Sequence, residues 1–190
     1  MPTQPHQKTI KHWDEPGHVH ELTFSCYQRR PLLSTDPIRN ELSISIERAC
    51  VRHDVELLAF VYMPEHVHLL AFPNTSPSSI SEFLFAVKRP YSFRVKKLLE
   101  ANNPTLLKSL TIQERPGKTT IRFWQEGPGY DRNLYYSATL RKVIDYIHLN
   151  QVRRGLVERP QDWPWSSFNA YYGEPVHAQV TLPPITMLET

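Results

Sequence analysis

His66-Val67-His68 lies inside the run Tyr62-Met63-Pro64-Glu65-His66-Val67-His68-Leu69-Leu70. On a strand, residues two apart project to the same face. At ~3.3 Å per residue their attachment points are about 6.6 Å apart. Two imidazoles so spaced can reach one metal ion, while Val67 is free to pack into a core on the other face. A divalent ion held there can polarise a phosphate. The competing explanation is a strand with two part-buried histidines and no chemistry, since histidine is often found at intermediate burial. The chain also contains a second copy of the triplet, His18-Val19-His20, after Trp13-Asp14-Glu15-Pro16-Gly17. The triplet alone therefore decides nothing. Context separates the copies. The later one follows Val55–Tyr62, a strand-like run broken at Met63-Pro64, and continues into Leu69-Leu70-Ala71-Phe72. This reads as strand, tight break and interior strand. His18 and His20 are expected to be structural.

A second group of chemically capable residues sits near the C-terminal end. Residues 138–154 read as a helix with Leu140, Val143, Ile144 and Ile147 as its apolar stripe, closed by Gly155. Tyr146 and Asn150 are four apart, on neighbouring turns of one face beside that stripe. A tyrosine there can be a nucleophile beside a metal, and an amide oxygen one turn later can be a third ligand. The alternative is a boundary tyrosine whose ring packs while its hydroxyl stays wet. Gln151 is a rival amide, rotated from Asn150 by about 100° on a helix.

The elements that must position these groups read as α+β. A first strand is expected over 18–27 and a helix over 36–52 opened by Asp36-Pro37. Strands follow over 56–62 and 66–72, then a helix over 80–99 capped by Ser79 and Glu82 and holding Pro90. Residues 101–118 read as loop and 121–124 as a short strand. At 190 residues and 40% hydrophobic content the chain fits one domain with a real core. Its apolar runs are too short to cross a bilayer, and it shows no signal-peptide segment at its start. Cys26 and Cys50 form no metal-type pair or disulfide framework, which makes a reduced cytoplasmic setting the default. A net charge of +3 permits a nucleic-acid partner without demanding one.

Taken together these residues resemble a known family. Met63-Pro64-Glu65-His66-Val67-His68 resembles the histidine–hydrophobe–histidine (HUH) motif of single-tyrosine transposases. Phe123-Trp124-Gln125-Glu126-Gly127, Tyr130-Asp131 and Val143–Val152 resemble their C-terminal half. Gly155-Leu156-Val157 and Asp162-Trp163-Pro164-Trp165-Ser166-Ser167 are similar to the REP-associated branch. The resemblance covers residues 16–172, leaving 1–15 as an extension and 173–190 as a tail of weak periodicity. It implies a ferredoxin-like or RRM-like domain, with an antiparallel sheet carrying the histidines and flanking helices. It implies cleavage and rejoining of single-stranded hairpin DNA through a 5′-phosphotyrosine, by a nucleoid-associated monomer or homodimer. His66, His68 and Asn150 fall on the family's metal-ligand positions and Tyr146 on its nucleophile. Gln151 departs from the pattern, because proline often follows the asparagine; without it the helix is expected to run on. Residues 115–129 are also longer and richer in glycine and proline than the pattern.

Magnesium or manganese is the expected ion, with nitrogen-plus-oxygen ligation favouring manganese. Candidate DNA contacts are the basic residues of the second helix (Lys88, Arg89, Arg94, Lys96, Lys97) and the pairs Arg29-Arg30 and Arg153-Arg154. Trp124, Trp165, Tyr135 and Tyr136 are candidates for stacking on unpaired bases; a solvated helix face and ordinary core aromatics are the alternative. Three functions remain open on the sequence: a single-strand DNA transposase or nickase, a hairpin-binding regulator without cleavage, and a phosphodiesterase in which Tyr146 is structural.

Overall fold

Strand β3 (His66–Pro73) is the centre of the molecule, and its alternation divides the core in two. In the computed structural model, which describes residues 18–74, 79–127, 129–135, 137–173 and 180–187, β3 lies between β2 (Val55–Tyr62) and β1 (Val19–Ser25). A further strand, β6 (Tyr130–Leu134), pairs with the outer edge of β1. The order β2-β3-β1-β6, antiparallel throughout, is the ferredoxin-like arrangement expected from the resemblance. Val67, Leu69 and Ala71 face one layer, formed by α1 (Asp36–His53) and α2 (Ile80–Asn102). Leu70 faces the other, formed by α4 (Ser137–His148) through Val143, Ile144 and Ile147.

Local chemistry accounts for most of these elements. Ser79 caps α2 by accepting from the Glu82 backbone N–H at 3.2 Å. Thr35 rather than Asp36 is the N-cap of α1, so Pro37 enters one position further in than expected. α2 runs through Pro90 and three residues past its expected end. Ser92 Oγ donates to the Lys88 carbonyl at 2.8 Å close to that proline.

Four expectations need correction. Residues 101–118 are not loop: they form α3 (Pro104–Leu110) and the first part of an exposed hairpin, β4 (Thr111–Arg115) with β5 (Lys118–Ile121). Its mostly exposed, polar strands lack the alternation that marks a half-buried one. Of the strand expected over 121–124, Ile121 ends β5 and the rest reduces to one bridge between Trp124 and Cys26. β6 was not anticipated, because only Leu134 in it is buried. The helix over 138–154 is broken: α4 ends at His148, Leu149 leaves helical geometry at φ −101°, ψ 0°, and α5 (Asn150–Arg153) restarts the chain. Buried Gln151 supports the break by donating to the His148 carbonyl at 2.7 Å and the Pro160 carbonyl at 3.3 Å. Gly155, at φ 66°, closes α5 as expected: its N–H reaches the Val152 carbonyl and that of Leu156 the Gln151 carbonyl.

The C-terminal segment covers the free edge of β2. Ser167 Oγ accepts from the Phe60 N–H at 2.9 Å, Trp165 O accepts from Tyr62 N–H at 2.9 Å, and Thr186 N–H reaches Leu57 O at 2.8 Å. Val180, Leu182 and Ile185 pack on the core, so this part of the tail belongs to the domain. Covering an edge strand blocks its unpaired backbone from pairing with other chains.

Candidate active site

β3, β1, α4 and α5 bring four side chains to one cavity. His66 and His68 project from β3 toward the α4 side, and register sets Ser25 and Thr23 of β1 directly across from them. α4 carries Tyr146, and the break at Leu149 turns Asn150 inward. The cavity has a volume of about 260 Å³ and is also walled by Arg29, Arg153 and Arg154. His66, His68 and Asn150 are buried at 5%, 6% and 5% exposure, while Tyr146 keeps 40% of its surface open. A deep donor set under an accessible phenol is the arrangement a phosphate would need to enter.

The Nδ1 atom of each imidazole has a polar neighbour. Thr23 Oγ1 lies 2.8 Å from His68 Nδ1. A proton on Nδ1, donated to that hydroxyl, leaves the Nε2 lone pair facing the cavity. Glu65 Oε1 lies 3.2 Å from His66 Nδ1 and also pairs with Arg154 at 2.8 Å. Burial lowers the pKa of His68 to about 3, with a smaller push from His66. Burial also lowers the pKa of His66, against the opposing pull of Glu65. Both rings are thus neutral at pH 7.

The resulting geometry fits a cation. His66 Nε2 and His68 Nε2 are 3.0 Å apart, and the Asn150 carboxamide nitrogen is 3.2 Å from His68 Nε2. Adjacent ligands of an octahedral ion with ~2.1 Å bonds are about 3.0 Å apart. Two lone pairs facing one another at that distance repel unless a proton or a cation lies between them. A half-turn of the Asn150 carboxamide exchanges its nitrogen for the oxygen a cation requires. Among the described residues no three His, Cys, Asp or Glu side chains converge on a metal site. The Asn150 carboxamide is the further polar side chain beside the two rings.

Tyr146 lies beside the same side chains. Its ring meets His68 edge-on at 5.5 Å between centroids, and the Arg153 guanidinium lies over the ring, 5.2 Å from its centroid. The first triplet is elsewhere. His20 is fully buried and bonded to Asp131 at 2.9 Å; His18 packs edge-on against Tyr135 at 4.3 Å.

A model of the IS200-like transposases matches residues 16–150. The chain belongs to the IS200-like transposase family. The enzymes of this family cleave DNA. A curated relative from Haemophilus influenzae (strain ATCC 51907 / DSM 11121 / KW20 / Rd), named a REP-associated tyrosine transposase, is 26% identical over 153 residues, 80% of this chain and 81% of that protein. A solved REP-associated tyrosine transposase bound to a REP hairpin shares the fold, with a TM-score of 0.68 at 19% identity over 95% of this chain and 94% of its own. No helix among the described residues is long and apolar enough to cross a membrane.

The structure separates the candidate DNA contacts of this family member into groups. Arg29, Arg153 and Arg154 line the site cavity, and Lys88 lines a neighbouring one. Arg30 is bonded to Ser109 at 2.9 Å. The rest of α2 lies across the sheet from the histidines. There Arg89 and Lys97 stack on Phe85 and Phe93, and Lys96 pairs with Glu100 at 3.2 Å. Arg94 is turned into α1, bonded to Glu41 at 2.6 Å and to Ser45, so its charge is already spent inside the fold. Trp124 is only 8% exposed and packs on Phe24, Tyr91 and Phe123, which leaves it no ring face for a base. Trp165, at 1% exposure, is core as well. Tyr136 lies outside the described residues. Sequence reasoning passed over Thr23 and singled out Glu65 only as part of the motif. Nothing marks Thr23 in the chain. Glu65 stands directly before the first histidine, and a carboxylate there was the available signal.

Proposed function

We propose that this chain cleaves and rejoins single-stranded DNA beside a hairpin, with Tyr146 as nucleophile and a divalent ion on His66, His68 and Asn150. The observation that carries this reading is the meeting of an accessible phenol, two neutral imidazoles and an amide in one cavity walled by arginines. The two REP-associated relatives, one solved on a REP hairpin, make hairpin DNA the substrate to test first. Mixed nitrogen and oxygen ligation favours manganese over magnesium. When bound, the ion would draw charge from a phosphate oxygen and offset the charge that builds in the transition state.

The chain's own residues account for the rest. Arg153 and His68 hold the Tyr146 ring over the cavity. The Tyr146 hydroxyl oxygen attacks phosphorus and its proton passes to solvent. The bond from phosphorus to O3′ breaks, and that oxygen takes up a proton to become a free 3′-hydroxyl. The DNA remains joined to Tyr146 through its 5′-phosphate, so bond energy is conserved and the 3′-hydroxyl can reverse the attack. All four groups belong to one chain, which supports attack by a subunit's own tyrosine in a monomer or a homodimer.

The test is a reaction with hairpin-bearing single-stranded DNA and Mn²⁺, followed by peptide mass spectrometry. A nucleotide on the peptide holding Tyr146 is expected. Tyr146→Phe removes one oxygen, and should keep fold and DNA binding while losing cleavage entirely. Cutting that persists in this variant replaces the mechanism with a water-based phosphodiesterase; binding without cutting by the unaltered protein makes it a hairpin-binding regulator.

A further inference from the structure

A second cavity, of about 320 Å³, adjoins the candidate active site and shares Thr23, Ser25 and Arg29 with it. Topology creates it. β6 begins at Tyr130, opposite Thr23, and beyond that point the edge of β1 is met by the chain at Gln125, whose N–H reaches Ser25 O at 2.9 Å, leaving a cavity between this segment, Tyr130 and Lys88 of α2. Phe24 forms an apolar floor, and Tyr130 forms a wall with 47% of its surface exposed. Lys88 stands on the other side, its ammonium 4.9 Å above the Phe24 ring. No carboxylate pairs with Lys88 among the described residues, and burial lowers its pKa to about 8.

Arg29 stands at the junction of the two cavities on an unusual backbone. Gln28 and Arg29 are consecutive non-glycine residues at φ 55° and 54°, a conformation that L residues avoid. The turn is over-determined: Tyr27 N–H reaches Phe123 O at 2.8 Å, Arg29 N–H reaches Cys26 O at 2.9 Å, and Gln28 N–H reaches Gln125 Oε1 at 3.1 Å. Strain held this firmly is characteristic of ligand clamps. The other two arginines of the site are engaged, Arg154 with Glu65 and Arg153 with the Tyr146 ring. Arg29 is exposed and makes no ion pair among the described residues.

We propose that this second cavity takes the unpaired nucleotide adjoining the scissile phosphate, its base against Tyr130 and its phosphate between Arg29 and Lys88. The inference rests on Tyr146 being the nucleophile in the neighbouring cavity. An exposed aromatic ring, two cations and an apolar side chain on the lining of one cavity suit a base with a free face and a phosphate beside it. A base inside a duplex has no such face, so the cavity selects single strands next to the hairpin.

The experiment walks one abasic site through the strand flanking a hairpin and measures cleavage by the unaltered protein and by Tyr130→Ala, Lys88→Met and Arg29→Ala. One abasic position should raise KM about tenfold, the loss of one stacked base, with kcat changing less. Tyr130→Ala should raise KM by a similar factor on intact DNA and add nothing on that abasic strand. Lys88→Met and Arg29→Ala should each reduce the salt dependence of binding by about one phosphate contact. Independent, multiplying effects of Tyr130→Ala and every abasic position would overturn the proposal, as would no response at any position. Binding by Tyr146→Phe protein runs the same cycle without cleavage. The Tyr146 adduct, read in the same reactions, keeps the two ideas apart: an adduct without the Tyr130 coupling removes only the second cavity.

Discussion

Two identical triplets, His18-Val19-His20 and His66-Val67-His68, stand on adjacent parts of one sheet and come to opposite ends. The second pair faces the α4 side, where Thr23, Tyr146 and Asn150 meet it. The first belongs to β1 residues whose even-numbered members, His20, Leu22 and Phe24, share a side away from Thr23. His20 is thereby sealed against Asp131, and the two rings of the first triplet have different partners. Chemistry therefore follows from register. The same side chains at the same spacing become a pair facing one cavity or a structural pin according to which strand lies opposite.

The comparison breaks most visibly at the metal. His66→Ala or His68→Ala should remove Mn²⁺ binding, read by calorimetry, and reduce cleavage at least a thousandfold (about 4 kcal/mol or more). Retained binding in both variants would dissolve the distinction between the triplets.

Acidity sharpens it next. Burial holds His148 near a pKa of about 4 and His68 near about 3, both below the ordinary 6.5. Below pH 6.5 the unfolded chain takes up protons that the folded chain refuses, so stability falls as pH drops from 6.5 toward 4. For His148 the loss is at most about 3 kcal/mol, at ~1.4 kcal/mol per pH unit. Urea unfolding of the protein and of His148→Gln, compared at pH 7 and 4.5, should show a shallower acid loss in the variant.

A smaller effect is expected one layer out from the ligands. Thr23→Val keeps the shape of its side chain and removes the partner of His68 Nδ1. Mn²⁺ affinity should fall about 10- to 100-fold while the melting temperature barely moves. The smallest effect on the site is expected from the first triplet. His20→Ala should leave Mn²⁺ affinity unchanged and cost roughly 1–3 kcal/mol of folding stability through its lost buried bond. A metal-affinity loss there would mean that the sheet does not insulate its two faces.

What was legible follows from range. The β2–break–β3 reading, the Ser79 cap and the closure at Gly155 depend on residues a few positions apart, and all are found. The hairpin β4–β5 and the strand β6 were missed because exposed or edge strands carry little alternation. Trp124 read as a candidate base platform because aromatic residues in cores and in DNA grooves look alike in a chain; its burial between Phe24 and Tyr91 is a matter of packing. The break at Leu149 was hidden as well. No proline announces it, and it is supported by Gln151 reaching Pro160, nine residues on.

The sequence by itself determined which groups could do chemistry: two histidines at strand spacing, and a tyrosine and an amide at helical spacing. These are local periodicities, set by backbone geometry. Context along the chain separated the second triplet from the first, but only the tertiary structure brought Tyr146 and Asn150 against it. It also set Thr23 beside His68 Nδ1 and Glu65 beside His66 Nδ1, and placed Arg29, on its left-handed turn, between two cavities. Those choices depend on strand register and on pairings across 45 and 82 residues, as between Thr23 and His68 and between His68 and Asn150. No short-range pattern encodes such distances, because they are fixed by how the layers pack.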